Sequence, residues 1–339
     1  MQKNTSTINL DTEIVEHAPL QRPNIGFLYV PDDKPVFGNS QQLAAWMSAF
    51  SELHMICDAE SLFIAASHRD TPVAVLDRIC ETLEKRYDDF DGFVVLLPRQ
   101  DILFQASNLS LRIAQTGKPI VCTSDFATGL QTRFRDYYSA AFKSEMMSAS
   151  HIAYENISGV VAMAGIDVVA PAHARIEYTE QRPYITSTVA GTLGFIDFGL
   201  HLGRKAVRRA NTKPLKLARW KHVDVRRIVL DEKQALNVPR QLLRTERKTR
   251  GLIAQVSGVA PLSLLSAIPQ TLPVCIVSAS GAQISWNGEH RTVSSRHASA
   301  VAAQFTAVLS TLTQKQLKNP LAIERAMQKI VFPFVKSAV

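Results

Sequence analysis

The chain has 339 residues, of which 46% are hydrophobic and 20% charged, and it carries a net charge of +8. These ordinary globular proportions exclude a disordered chain, a collagen and a coiled coil, and the length fits two domains. Four cysteines in the whole chain exclude a disulfide-built scaffold, and no apolar run reaches the roughly 18 residues that a membrane span needs.

Residues 1–23 are polar, without the basic start and apolar core of a secretory signal, and read as a flexible leader. The apolar run 24–30 (NIGFLYV) stops at Pro31, Asp32 and Asp33, which predicts a buried strand and a turn. Residues 41–53 have helical spacing through Leu43, Trp46, Met47 and Phe50, and 61–66 (SLFIAA) read as a second strand. Thr71 then suits an N-cap and Pro72 a first helical position. Val73, Leu76, Ile79, Cys80, Leu83 and Tyr87 follow at three- and four-residue steps, one apolar helix face.

Residues 92–97 (GFVVLL) are continuously apolar, the pattern of a parallel strand covered on both faces. A helix over 102–116 shows Ile102, Ala106, Leu109 and Ile113 on one side, with Gly117 as its stop. Another strand is predicted at 119–123 (PIVCT). Residues 126–150 read as a helix whose core face includes Phe134, Tyr137, Tyr138, Phe142 and Met146. Strands follow at 158–163 and 166–170. Strand and helix alternate, which predicts a parallel sheet with right-handed crossovers.

Beyond a basic stretch the alternation resumes. Strands are predicted at 225–230, 250–256 and 273–278, a short helix after Pro261 and a longer one over 298–317. The fold class is therefore α/β: a larger N-terminal, doubly wound, mainly parallel sheet domain and a smaller C-terminal α/β domain. The divisions are a leader at 1–23, an N-terminal domain at 24–202, a basic linker at 203–222 and a C-terminal domain at 223–339.

Charge is uneven. From Gly203 to Arg250 sixteen basic residues face four acidic ones, a net of +12. Such a block reads either as a solvated connection between domains or as a nucleic-acid surface. Trp220 is its only aromatic residue, so the interleaved rings of a base-stacking surface are missing. Cys57, Cys80, Cys122 and Cys275 have no pairing or metal-type spacing. The last three sit in apolar patterns as small buried side chains, which fits a reducing cytoplasm. His151, His173, His201, His222, His290 and His297 form no ligand spacing, so no metal site is expected.

From Tyr87 the text YDDFDGFVVLLPRQDILFQASNLSLRIAQTGKPIVCTS resembles the core segment of the L-asparaginase/glutaminase family. Upstream, SHRDTPVAVLDRICETLEKRYDDFDGF is similar to the family's cytoplasmic type, and RGLIAQVSGVAP to the start of its smaller C-terminal domain. The resemblance implies a cytoplasmic homodimer or dimer of dimers that handles a small amino-acid-like ligand without metal or cofactor. Its family reaction is hydrolysis of asparagine or glutamine side-chain amides. That chemistry uses one threonine on the turn after strand one and a Thr–Asp pair on the turn after the central strand.

The same resemblance places other residues in those positions. Asp33 stands at the first threonine, and Arg99 and Gln100 replace the Thr–Asp pair. A register slid by one residue brings Asp101 to the acidic position. Ser67 matches the substrate-binding serine, with His68 beside it. No lysine lies at 175–182, where the family's tuning lysine is expected. Pro31 has no N–H to offer a substrate, and an aspartate opposes a developing oxyanion. The resulting expectation is a non-catalytic binding or scaffold homologue. One alternative is an amidohydrolase with relocated groups, Asp33 accepting the acyl group or acting as base beside His68 and Arg99 clamping a carboxylate. The second is a nucleic-acid-associated protein acting through 203–250.

Overall fold

The computed structural model describes residues 22–31, 35–66, 70–99, 101–124, 135–178, 183–187, 191–197, 199–218, 220, 223–230, 249–256, 273–278, 281–286, 289–293, 298–313, 316 and 319–329. The N-terminal unit runs β1 (Asn24–Tyr29), α1 (Ser40–Ser48), α2 (Ser51–Ile56), β2 (Asp58–Phe63), α3 (Pro72–Arg86), β3 (Gly92–Leu96), α4 (Ile102–Arg112), β4 (Ile113–Gln115), β5 (Pro119–Thr123), α5 (Arg135–Tyr154), β6 (Gly159–Met163) and β7 (Asp167–Val169). It continues with β8 (Ala174–Tyr178), β9 (Pro183–Ser187), β10 (Thr192–Ile196), β11 (Leu200–Leu202) and β12 (Lys216–Leu217). Eight of these strands form one sheet in the order β11-β10-β7-β6-β5-β3-β1-β2. Pairing is parallel from β6 through β5, β3 and β1 to β2, and antiparallel where β7, β10 and β11 are added.

The C-terminal unit comprises β13 (Asp224–Leu230), β14 (Thr249–Val256), β15 (Val274–Ser278), β16 (Gly281–Trp286), β17 (Glu289–Val293), α6 (Ala298–Thr311) and α7 (Pro320–Lys329). Its five strands follow sequence order, parallel through β15 and antiparallel beyond it. The expected α/β class, a larger mainly parallel sheet and a smaller α/β unit, is the observed one.

Local chemistry explains the best-formed elements. Thr71 has extended backbone, and its hydroxyl accepts from Ala74 N at 3.2 Å. Pro72 opens α3, which buries Val73, Leu76, Ile79, Cys80 and Leu83. The central sheet separates two apolar layers. Leu28, Phe93, Val95 and Ile120 pack toward α3 and α4, and Phe27, Val94, Val121 and Val161 toward α1 and α5. This is the two-sided burial that continuous apolar strands require.

Four expectations are corrected. The helix over 41–53 is two helices, because Phe50 leaves helical backbone (φ −91°, ψ 77°) with its ring 1% exposed. The second strand begins three residues earlier, at Asp58. The helix expected to run to Thr116 ends at Arg112, since 113–115 pair with β12. Gly117 is thus no helix stop. Its N–H donates to the Tyr87 hydroxyl at 2.8 Å, and a Cβ there would strike the Ala210 carbonyl oxygen. The described part of 203–222 keeps many exposed positions but is anchored on the N-terminal unit. Ala206 is buried, Val207 O accepts from Ser158 N at 2.8 Å, and Ala210 N donates to Gly117 O at 3.0 Å.

The leader expected at 1–23 is described only at its end, where Pro23 O accepts from Asp58 N at 2.9 Å and the Arg22 guanidinium donates to His54 O at 2.6 Å. The short helix expected after Pro261 lies outside the described residues. No helix among the described residues is long and apolar enough to cross a membrane.

Candidate functional site

The chain leaves β1 for β2 on one side and returns across it to β3 on the other. That reversal makes β1 and β3 the switch point of the sheet, and the crevice of such a sheet opens at the carboxyl ends of those strands. Three hydrogen bonds of 2.9 Å hold the neighbouring exits level: Ile64 N to Tyr29 O, Val30 N to Leu96 O and Leu97 N to Thr123 O. The turns carrying the sequence-predicted site residues therefore leave one edge side by side.

After β1 the Tyr29 hydroxyl accepts from Val36 N at 3.0 Å and Phe37 N at 3.4 Å, so the returning chain closes on it. Asp33 lies outside the described residues. Beyond β2, Arg78 fastens both flanks of the next turn. It grips the Asp70 carboxylate bidentately at 2.8 and 2.9 Å and donates to Ala65 O. Ser67 and His68, between those flanks, lie outside the described residues, as does Gln100 in the turn after β3. Arg99 is half-buried in that turn.

Asp101 ends the turn, its N–H donating to Pro98 O at 2.9 Å. It stands at the N-cap of α4, yet its side chain makes no capping bond. Instead the carboxylate pairs with the Arg227 guanidinium of β13. The Arg227 side chain is 7% exposed, bonds Gln255 Oε1 at 2.8 Å and lies 5.0 Å from the Phe104 ring centroid. Sequence reading missed this partner, because 126 positions separate the two residues.

A threonine does stand at this edge. Thr123 Oγ1 donates to Glu145 Oε1 at 3.2 Å, and Glu145 Oε2 accepts from Gly165 N at 3.2 Å. Thr123 is completely buried. The carboxylate ties β5 and α5 to the turn after β6, a structural arrangement rather than an exposed nucleophile. The β8–β9 hairpin contains an Arg175–Glu177 pair at 2.6 Å and a Tyr184 hydroxyl donating to Glu177 at 2.6 Å, and 175–182 carry no lysine. Lys118, buried at the opposite edge, is occupied by the Tyr87 and Phe90 carbonyls, both at 2.6 Å.

That opposite edge has its own cleft of about 800 Å³, lined by Arg22, Asn24, Met55, Asp91, Tyr154 and Arg209 among others. Arg209 spans it, donating to Tyr154 O at 2.8 Å and Asp91 O at 2.7 Å. Arg209 and Arg227, two cations of the basic block, are thus committed inside the molecule. Burial pushes the thiols of Cys80 and Cys275 up to about 12 and that of Cys57 to about 11, as inert core sulfurs behave. Among the described residues no three His, Cys, Asp or Glu side chains group as a metal site.

A doubly wound sheet with its switch point at β1 and β3, joined to a smaller α/β unit, is the architecture of the L-asparaginases. L-asparaginase I from Vibrio cholerae superposes with a TM-score of 0.56 at 17% identity, over 93% of this chain and 99% of that one. The thermostable L-asparaginase from Thermococcus kodakarensis gives 0.60 at 13% identity, over 93% and 100%. A probable cytoplasmic L-asparaginase from Campylobacter jejuni gives 0.59 at 13%, over 91% and 100%. No family model matches the sequence, and a search of curated proteins finds no match. The chain has the asparaginase fold with little of the sequence that accompanies it in these structures.

Proposed function

We propose that the protein is a binding or scaffold member of the asparaginase fold that does not hydrolyse amides by threonine chemistry. The observation that carries this reading is the exit of β3. Arg99 occupies the turn, and Asp101, the nearest carboxylate, is committed to Arg227. An acidic group already paired with a buried guanidinium is poorly placed to receive a substrate's ammonium group. Thr123, a threonine at this edge, is buried and hydrogen-bonded to Glu145. When catalytic residues act as a unit, losing one typically costs about a thousand-fold or more in rate. The ligand class favoured is a small amino acid held at the switch point, in a homodimer or dimer of dimers. The four buried free cysteines support a reducing cytoplasm.

The test is ammonia release from L-asparagine and L-glutamine, run beside calorimetric titration with L-asparagine and L-aspartate. Measurable binding with turnover below about 0.001 s⁻¹ is expected. Turnover at about 1 s⁻¹ or faster, within the ordinary enzyme range, overturns the reading.

A further inference from the structure

We infer that Arg227 is a positioning residue through which the C-terminal unit fixes the turn after β3. Three observations converge on it. First, an aspartate at a helix N-cap ordinarily accepts from the N–H groups of the first turn, whereas Asp101 makes no such bond and gives its carboxylate to Arg227. The head of α4 forgoes a local cap for an interdomain ion pair. Second, the guanidinium bonds to partners from two units. One nitrogen serves Asp101 and the other serves Gln255 at 2.8 Å, a use of the planar fork that lysine cannot reproduce. Gln255 lies two positions beyond Ile253, the register partner of Arg227, and so shares its face of the sheet. Third, Phe104, in the first turn of α4, covers the guanidinium face at 5.0 Å. Burying a cation is costly unless it is paired, and Asp101 and Gln255 supply acceptors for both terminal nitrogens of this one.

The turn between Pro98 and Asp101 is thereby braced from the second sheet. Its role for a ligand rests on the binding reading above; its role in ordering the turn does not. Hydrogen exchange of the full-length protein, read by mass spectrometry, tests the ordering directly. In Arg227→Gln and Asp101→Asn, exchange across 98–104 should rise about ten-fold or more, the local opening that a lost tether allows. Segments 119–124 and 159–163 should stay as in wild type. Arg227→Lys should recover part of the protection and not all of it. Unchanged exchange at 98–104 in both variants overturns the inference, as does a uniform rise through both sheets, which marks Arg227 as ordinary fold support. Should Arg227→Gln fail to fold, Asp101→Asn decides. Calorimetry with L-asparagine and L-aspartate adds the functional arm. Affinity should fall about ten-fold in Arg227→Gln and return partly in Arg227→Lys. An unchanged affinity overturns the inference for the ligand. If wild type binds neither compound, the binding reading fails while the exchange result still decides the brace.

Discussion

Lys118 shows how a single residue can be fixed by burial. Its side chain is buried, its ammonium donates to Tyr87 O and Phe90 O at 2.6 Å, and it lies 4.6 Å from the Tyr87 ring centroid. Replacing it with methionine keeps the bulk and orphans two carbonyls, so Lys118→Met should cost about 2 kcal/mol near neutral pH. Burial also lowers the pKa of this lysine from 10.5. Between the folded value and 10.5 the unfolded chain binds more protons than the folded one, so this lysine's contribution rises with pH across that window. Urea titrations from about pH 8 to about pH 10.5 should therefore show wild type gaining on the variant. A gap that narrows instead contradicts the buried-cation account. At this scale the sequence shows burial better than partnership. Cys80, Cys122 and Cys275 are core side chains, as their apolar surroundings indicate. The Asp101–Arg227 pair leaves no comparable sign, because nothing local marks an aspartate as reserved for a strand 126 residues away. Of the site residues named from sequence, the structure describes Arg99 and Asp101, and it gives Asp101 a partner that the turn motif does not imply.

Elements were legible in proportion to how much of their pattern is local. The α3 helix declares itself through Thr71, Pro72 and one apolar stripe, and β3 and β5 through runs too apolar for any surface position. By contrast, α4 is buried on every side from Ile102 to Leu111. Its periodicity shows one face, while Ser107 and Asn108 are hidden by bonding to Pro171 O and Phe104 O. The strands β8 to β12 escaped notice because they are two to five residues long and partly polar, below the length at which alternation is distinctive. Gly92 is an element-scale feature with a testable consequence. It admits β3 against α5, and a Cβ there would strike the Ala153 carbonyl oxygen. Neither the strand nor the helix backbone can yield without breaking its own ladder. Gly92→Ala should therefore destabilise by about 3 kcal/mol, read from the urea midpoint; a loss under about 0.5 kcal/mol would show that the helix can shift aside.

At the scale of the molecule, the two sheets were readable from alternation and their mutual dependence was not. Val73 of α3 and Phe104 of α4 belong to the apolar cluster of the C-terminal unit, beside Val225, Ile253, Cys275, Phe305 and Leu309. Leu111 meets Ala303 and Ala307 of α6 in the same way. Each unit thus completes its core with side chains from the other, and the Asp101–Arg227 pair adds a polar tie at the rim of that contact. Units joined this way should unfold together. Phe104 is the sharpest probe, since it is anchored in one unit and buried at 4% exposure in the other. Phe104→Ala should cost about 3–5 kcal/mol, the range for truncating a buried aromatic ring. The loss should register equally at Trp46, in the N-terminal unit, and Trp286, in the C-terminal one, when single-tryptophan versions are followed by fluorescence in urea. If the Trp286 signal moved to lower denaturant and Trp46 stayed where it was, the units would be independent domains. Coincident shifts would instead make the contact between α4 and the second sheet part of a single folding unit.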